Sequence, residues 1–215
     1  MNGPRHRAGQ IYEELRERIC LLEYKPGEII KERDLAEEFG VSRTPLRRVL
    51  QKLENDGLIL SKQGHGTVVT EIDLQELKDI YFLRIKLAET IGASGPLAPT
   101  NEAMADLDSL ANRCVEARDN PNFRTFGEIN IGLHMQYQNV IRNRPLREIS
   151  DKLFYQTSRM WFRLLPQTDW RDEIDDLLSE IRAVKRCFEV GDVESVGFVH
   201  RNHLSMVVKR LDALL

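Results

Sequence analysis

From Ser42 to Leu53 the chain carries Arg43, Arg47, Arg48 and Lys52 and no acidic residue. A helix over this stretch gathers Leu46, Val49, Leu50 and Leu53 into one apolar stripe, with Val41 just before it. Ser42, Arg43, Thr44, Arg47 and Arg48 are then left outward or at its edge. Guanidinium groups so placed suit phosphate oxygens and bidentate contact with guanine, and Ser and Thr hydroxyls suit phosphates. Ser42 is expected to cap the helix with its hydroxyl, and Pro45 is tolerated because an N–H so early in a helix has no partner to lose. The same composition also fits an ordinary amphipathic helix with a solvated basic face.

A second set of polar residues interrupts apolar stripes further along. Arg84 falls on the stripe Leu77, Ile80, Leu87, Ile91 and needs an anion, either an internal carboxylate such as Glu89 or Glu128 or a bound acidic ligand. Asn130 and His134 are four apart and share one helical face, and His203 sits in the stripe Val196, His200, Val207. Three outcomes stay open for this set: part of a divalent-metal site for zinc or nickel, a metal-free pocket that hydrogen-bonds an organic ligand, or a structural polar core. The sequence has no nucleophile-base-orienter set, no glycine-rich phosphate loop and no HExxH, which speaks against an enzyme.

The elements that must position these residues are legible from periodicity and breakers. A short helical run, Arg33 to Phe39, ends at Gly40, so a helix, a glycine turn and the basic helix follow one another as a helix-turn-helix. After Asn55-Asp56-Gly57, the runs Leu58 to Leu60 and Thr67 to Val69 are joined by Ser61 to Gly66 as a hairpin, making a winged helix-turn-helix. His65, flanked by glycines, and Gly66 stand at the wing tip, where close approach to a DNA backbone or minor groove is feasible. A first helix over about 8–24 is the scaffold beneath them.

Residues 71–74 read as a linker into helices at about 73–94, 101–119, 122–142, 145–165 and 171–190, with a last one from Asp192 to Leu214. Pro96, Pro99, Pro121, Pro145 and Pro166 fall at or near the junctions. The expected fold is mainly α: a winged helix-turn-helix over 1–70 and an antiparallel helical bundle over 71–215. Residues 1–70 hold 12 Lys and Arg against 11 Asp and Glu, and residues 71–215 hold 19 against 23, so only a local face is basic. The absence of a long apolar run or secretory signal predicts a cytoplasmic chain without membrane contact, and Cys20, Cys114 and Cys187 read as reduced thiols.

The pattern KPGEII, RDLAEEFGVSRTPLRRVLQKLENDGLI, QGHGTVV resembles the DNA-binding domain of the GntR family of bacterial transcription regulators, over roughly residues 8–70. The resemblance implies operator contacts at Arg33, at Ser42, Arg43, Thr44 and Arg47, and at His65 and Gly66. Arg48-Val49 stands where that family more often has glutamate-alanine. Residues 71–215 are similar to the helical effector-binding domain of its FadR branch, often called FCD. That likeness implies a homodimer on a palindromic operator in double-stranded DNA, a small carboxylate effector beside Arg84, and repression as the output. It also implies a metal held by Asn130, His134 and His203. Ile181 stands at the position of the third histidine, and His200 lies about a helical turn from the expected place. The alternatives are a DNA-binding dimer without any effector and, against the missing catalytic motifs, a metal-dependent enzyme.

Overall fold

A computed structural model describes residues 4–62, 66–71 and 73–213. Helix α1 spans Pro4–Cys20, a two-residue strand β1 is Ile29–Ile30, α2 is Glu32–Glu38 and α3 is Arg43–Asn55. Strands β2, Ile59–Lys62, and β3, Gly66–Val69, follow. The antiparallel sheet has the order β1-β3-β2, with Ile29 opposite Val68 and Leu60 opposite Val68 on its other side. Gly40 turns the chain between α2 and α3 at φ +57°, a conformation that a side chain would strain. Leu35, Leu46, Val49, Leu50 and Leu53 bury their side chains against Ile11, Leu15 and Ile19 of α1, so the apolar stripe of α3 faces inward as its spacing requires.

Six longer helices form the rest: α4 Leu74–Ala93, α5 Asn101–Ala117, α6 Phe123–Val140, α7 Arg144–Leu164, α8 Trp170–Glu189 and α9 Val196–Ala213. The first five of these are capped by a side chain, from Asp73, Thr100, Asn122, Asn143 and Asp169 respectively, each accepting from a backbone N–H in the first turn. α4 and α9 pack so closely that a Cβ on Gly197 would come within 2.5 Å of the Ala88 carbonyl oxygen. The mainly α architecture, with its wing and bundle, agrees with the expectation.

Several expected details differ. The first helix ends at Cys20, not near Tyr24, because Leu22 takes φ +62° and turns the chain. The last helix begins at Val196, since Asp192 binds the N–H and hydroxyl of Ser195 in a turn ahead of it. Ser42 occupies the N-cap of α3 with extended backbone, but its hydroxyl makes no capping bond. β1 was not expected: two residues are too short to show a period, and only pairing with β3 reveals them. Among the described residues no helix is long and apolar enough to cross a membrane.

Candidate nucleic-acid interface and internal pocket

The outer face of α3 presents Arg43, Thr44, Arg47 and Arg48 to solvent, with Ser42 exposed just ahead of it. The Ser42 hydroxyl at the start of the helix makes no capping bond. Arg33 is exposed on α2, and no bond to Asp34 or Glu37 is found for it among the described residues. Arg47 is held by Glu32, Nε to Oε2 at 3.1 Å. Gly66 is exposed at the start of β3, while His65 lies outside the described residues. A helix of arginines with an open outer face, beside a wing, can contact phosphates and base edges together.

The second set of sequence candidates converges inside the bundle. Arg84 of α4, Asn130 and His134 of α6 and His203 of α9 line one cavity of about 30 Å³, with Tyr81, Tyr137, Ser158, Trp161, Glu180 and His200 among its other walls. A second cavity of about 20 Å³ shares Arg84, His134, Tyr137 and His200 and adds Gln138 and Ser150. Arg84 is buried, and its Nη1 donates to Thr157 Oγ1 at 2.7 Å. Burial pulls the Arg84 pKa down, while Tyr81 and Glu180 push it back up.

Glu180 of α8 is the carboxylate that faces this guanidinium. Its Oε1 accepts from Tyr137 at 2.7 Å and lies 3.1 Å from His200 Nδ1, and its Oε2 lies 3.2 Å from His203 Nδ1. Burial raises the Glu180 pKa against the opposing pull of His203, Tyr137 and Arg84. Glu89 and Glu128, expected as partners of Arg84, are engaged elsewhere: Glu89 with Lys86 and Arg201, and Glu128 with Arg113 and Arg124. Both are half-buried at the rim, where lysines and arginines reach them first. His200, expected a turn away, lines the same cavity with its ring 4.1 Å from that of Tyr137.

His134 stacks on Phe154 at 3.8 Å and 2°, and its Nε2 lies 3.0 Å from Asp151 Oδ1. Burial pushes the pKa of His134 down to about 4 and that of His200 to about 3, and lowers that of His203. These residues do not fit a metal. Ile181, fully buried in the apolar core, offers no donor where the third histidine is expected, and Asn130 brings no charge to offset a divalent cation. Among the described residues no group of three or more His, Cys, Asp or Glu is arranged to hold a metal ion.

A polar chain leaves the pocket toward the winged segment. Asp151 Oδ2 accepts from Arg16 Nη1 at 2.6 Å, and the Arg16 guanidinium lies 3.9 Å from the Tyr155 ring and 5.1 Å from the Tyr12 ring. Tyr12 in turn donates to Asp56, the C-cap of α3, at 2.7 Å. From α7, Lys152 and Gln156 donate to the carbonyls of Asn55 and Asp56, both at 2.6 Å, and the fully buried Arg159 donates to Thr70 O at 2.9 Å and Oγ1 at 2.6 Å.

The signal for Glu180 was present but unread. It lies between Leu177 and Val184 and beside Ile181, all fully buried, so it occupies a core-facing position of α8. Asp151 carries no such mark, with exposed Lys152 and half-buried Ser150 beside it, whereas Arg159 stands among buried Thr157, Ser158, Met160 and Trp161; both find their partners only across the fold.

A winged helix-turn-helix with an open arginine face, joined to an all-helical bundle, is the build of a DNA-binding transcription regulator. Residues 7–69 match the family model of the bacterial regulatory proteins, gntR family, so the helix-turn-helix of this chain is of the GntR type. YdhC of Bacillus subtilis (strain 168), an uncharacterized HTH-type transcriptional regulator, is 39% identical over 80 residues, which are 37% of this chain and 36% of YdhC. The HTH-type transcriptional repressor NagR of the same organism is 37% identical over 68 residues, 31% of this chain and 28% of NagR. The match thus spans about a third of these relatives' length; they are transcription regulators, not enzymes. In fold the likeness is longer. McbR/YncC of E. coli superposes with a TM-score of 0.79 at 17% identity, over 96% of this chain and 97% of that one. A GntR-type transcriptional regulator from Rhodococcus sp. RHA1 gives 0.72 at 16%, over 96% and 98%.

Proposed function

We propose that the chain is a homodimeric transcription regulator, acting as a repressor, that binds a palindromic operator in double-stranded DNA and answers to a small molecule bearing an acidic group. The observation that carries the DNA-binding part is the exposed face of α3, where Arg43, Arg47 and Arg48 meet no acidic neighbour on their own helix. Residues 1–70 hold the DNA-reading unit and residues 71–215 the effector and dimerisation unit. Arg33, Ser42, Arg43, Thr44 and Arg47 contact the operator from the helix-turn-helix, and His65 and Gly66 do so from the wing. In the bundle, Arg84, Asn130, His134 and His203 line the effector pocket, with Arg84 as the partner of the acid.

The test is selection of binding duplexes from a random pool, followed by footprinting of the enriched sequence. An inverted repeat with each half covered supports the dimer, and an enriched single half-site would sink it. Arg43→Ala and Arg47→Ala should each lose roughly 1–3 kcal/mol of specific affinity with unchanged melting. The small cavity favours a second reading, a DNA-binding dimer whose bundle only dimerises. Its polar lining, with the Arg84 guanidinium and the Glu173 and Glu180 carboxylates buried in an interior, favours the effector.

A further inference from the structure

Three charged side chains line the same chamber, Arg84 from α4 and Glu180 and Glu173 from α8. Glu173 is already paired with Arg210 of α9 at 2.7 Å, which leaves Arg84 and Glu180 as the opposite charges without an ion-pair partner of their own among the described residues. The histidines about them, His134, His200 and His203, are kept neutral by burial, so with the Glu173–Arg210 pair counted the interior sums to zero. A simple carboxylate entering there leaves one negative charge in excess, and an uncompensated charge in a dry interior is costly. A ligand that brings both signs leaves the sum at zero. An independent feature lies across the shared wall. Gln138 is only 6% exposed, and its amide nitrogen is sealed from solvent with no partner among the described residues. Its side chain lines the second chamber together with Arg84 and Ser150. Buried donors left unpaired are rare in folded chains, and one beside a cavity calls for an acceptor.

We infer that the effector is a small zwitterion of the amino-acid type, its carboxylate held by Arg84 and the amide nitrogen of Gln138 and its ammonium turned to Glu180. This rests on the bundle being an effector domain. Glu180 already accepts from Tyr137 and faces His200 and His203, so the ammonium takes the place of a neutral imidazole and adds no unpaired charge. The chambers, about 30 and 20 Å³, hold a few water molecules between them, so the molecule is small and the walls part to admit it.

The experiment is titration calorimetry on the full chain at neutral pH, with natural α-amino acids beside 2-hydroxy acids of the same side chain. At least one amino acid should bind about tenfold or more tighter than its hydroxy twin. Glu180→Gln should shrink that preference to below about threefold, and Gln138→Leu should weaken both twins alike. Three results overturn the proposal: a hydroxy acid that binds as well as its amino twin, a preference untouched by Glu180→Gln, or no binding by either series. Should Glu180→Gln fail to fold, the comparison of twins on the parent chain still decides. The same preparation is assayed on its enriched duplex. DNA binding without amino-acid binding removes the ligand class and leaves the regulator standing, whereas amino-acid binding without DNA binding removes the regulator alone.

Discussion

Glu32 holds Arg47 at the mouth of the proposed DNA interface, and both side chains are exposed, 37% and 67%. A pair this open contributes little to stability, while a carboxylate so close to a phosphate-facing guanidinium opposes DNA. Glu32→Gln should therefore leave the melting temperature unchanged and raise operator affinity by up to about fivefold, as a quantitative footprint can measure. A lowered affinity would make Glu32 a contact residue instead. The arginines of α3 were legible in sequence because a basic outer face needs no tertiary partner to be recognised. The pocket was half legible: Arg84 and His134 stand out on apolar stripes, but Glu180 and Asp151 acquire meaning only from the helices opposite them. The buried histidines set the pH response. His134 and His200 titrate near 4 and 3 in the fold against about 6.5 when unfolded, so the unfolded chain takes up protons first as pH falls. Stability should drop from about pH 6.5 downward, by up to about 1.4 kcal/mol per unit for each histidine, with the raised Glu180 carboxyl offsetting part of it. His200→Gln should flatten the urea midpoint's slope against pH by about one proton.

Helix α7 is the element on which both ends of the molecule bear. On one side Asp151, Phe154, Thr157 and Ser158 face the pocket or its lining, and on the other Lys152, Gln156 and Arg159 hold the end of α3 and the strand ends. Lys152 and Gln156 supply donors to carbonyls that the last turn of α3 leaves without helical partners, and the lysine charge also suits the negative end of that helix. Arg159 is fully buried, with its pKa pushed down to about 10 by that burial. Arg159→Met keeps the volume but strands the carbonyl of Thr70, whose hydroxyl still donates to Gly57 O, and should cost about 2–4 kcal/mol in urea unfolding. A loss below about 0.5 kcal/mol would mean that water replaces the guanidinium and that α7 does not clamp the wing. Helix positions were readable because capping residues such as Asn143 and Asp169 sit one residue before the first turn. The role of α7 was not, since its two faces differ in what they touch rather than in hydropathy.

Across the whole molecule, the pocket and the recognition helix are joined by one succession of contacts: His134 to Asp151, Asp151 to Arg16, the Arg16 guanidinium over the Tyr12 ring, and Tyr12 to the C-cap Asp56. Contact alone does not make coupling; two arrangements must exist, and the ligand must prefer one. The proposed ligand would require two arrangements, because the chambers are too small for a molecule of several heavy atoms until the walls part. His134 belongs to both chambers, so parting them shifts its ring on Phe154 and with it the hold on Asp151. Asp151 then changes its grip on Arg16, whose Nε is sealed without a partner and whose place in the fold depends on that carboxylate. Asp151→Asn keeps the shape and removes the charge that ties the two segments. It should leave ligand affinity within about threefold and reduce the ligand's effect on DNA affinity by about 0.5–2 kcal/mol. The same loss is expected from Arg16→Met, and the double variant should lose no more than either single one, since both cut the same connection. Additive losses in that cycle would show two independent routes, with the clamp of α7 on α3 carrying the second.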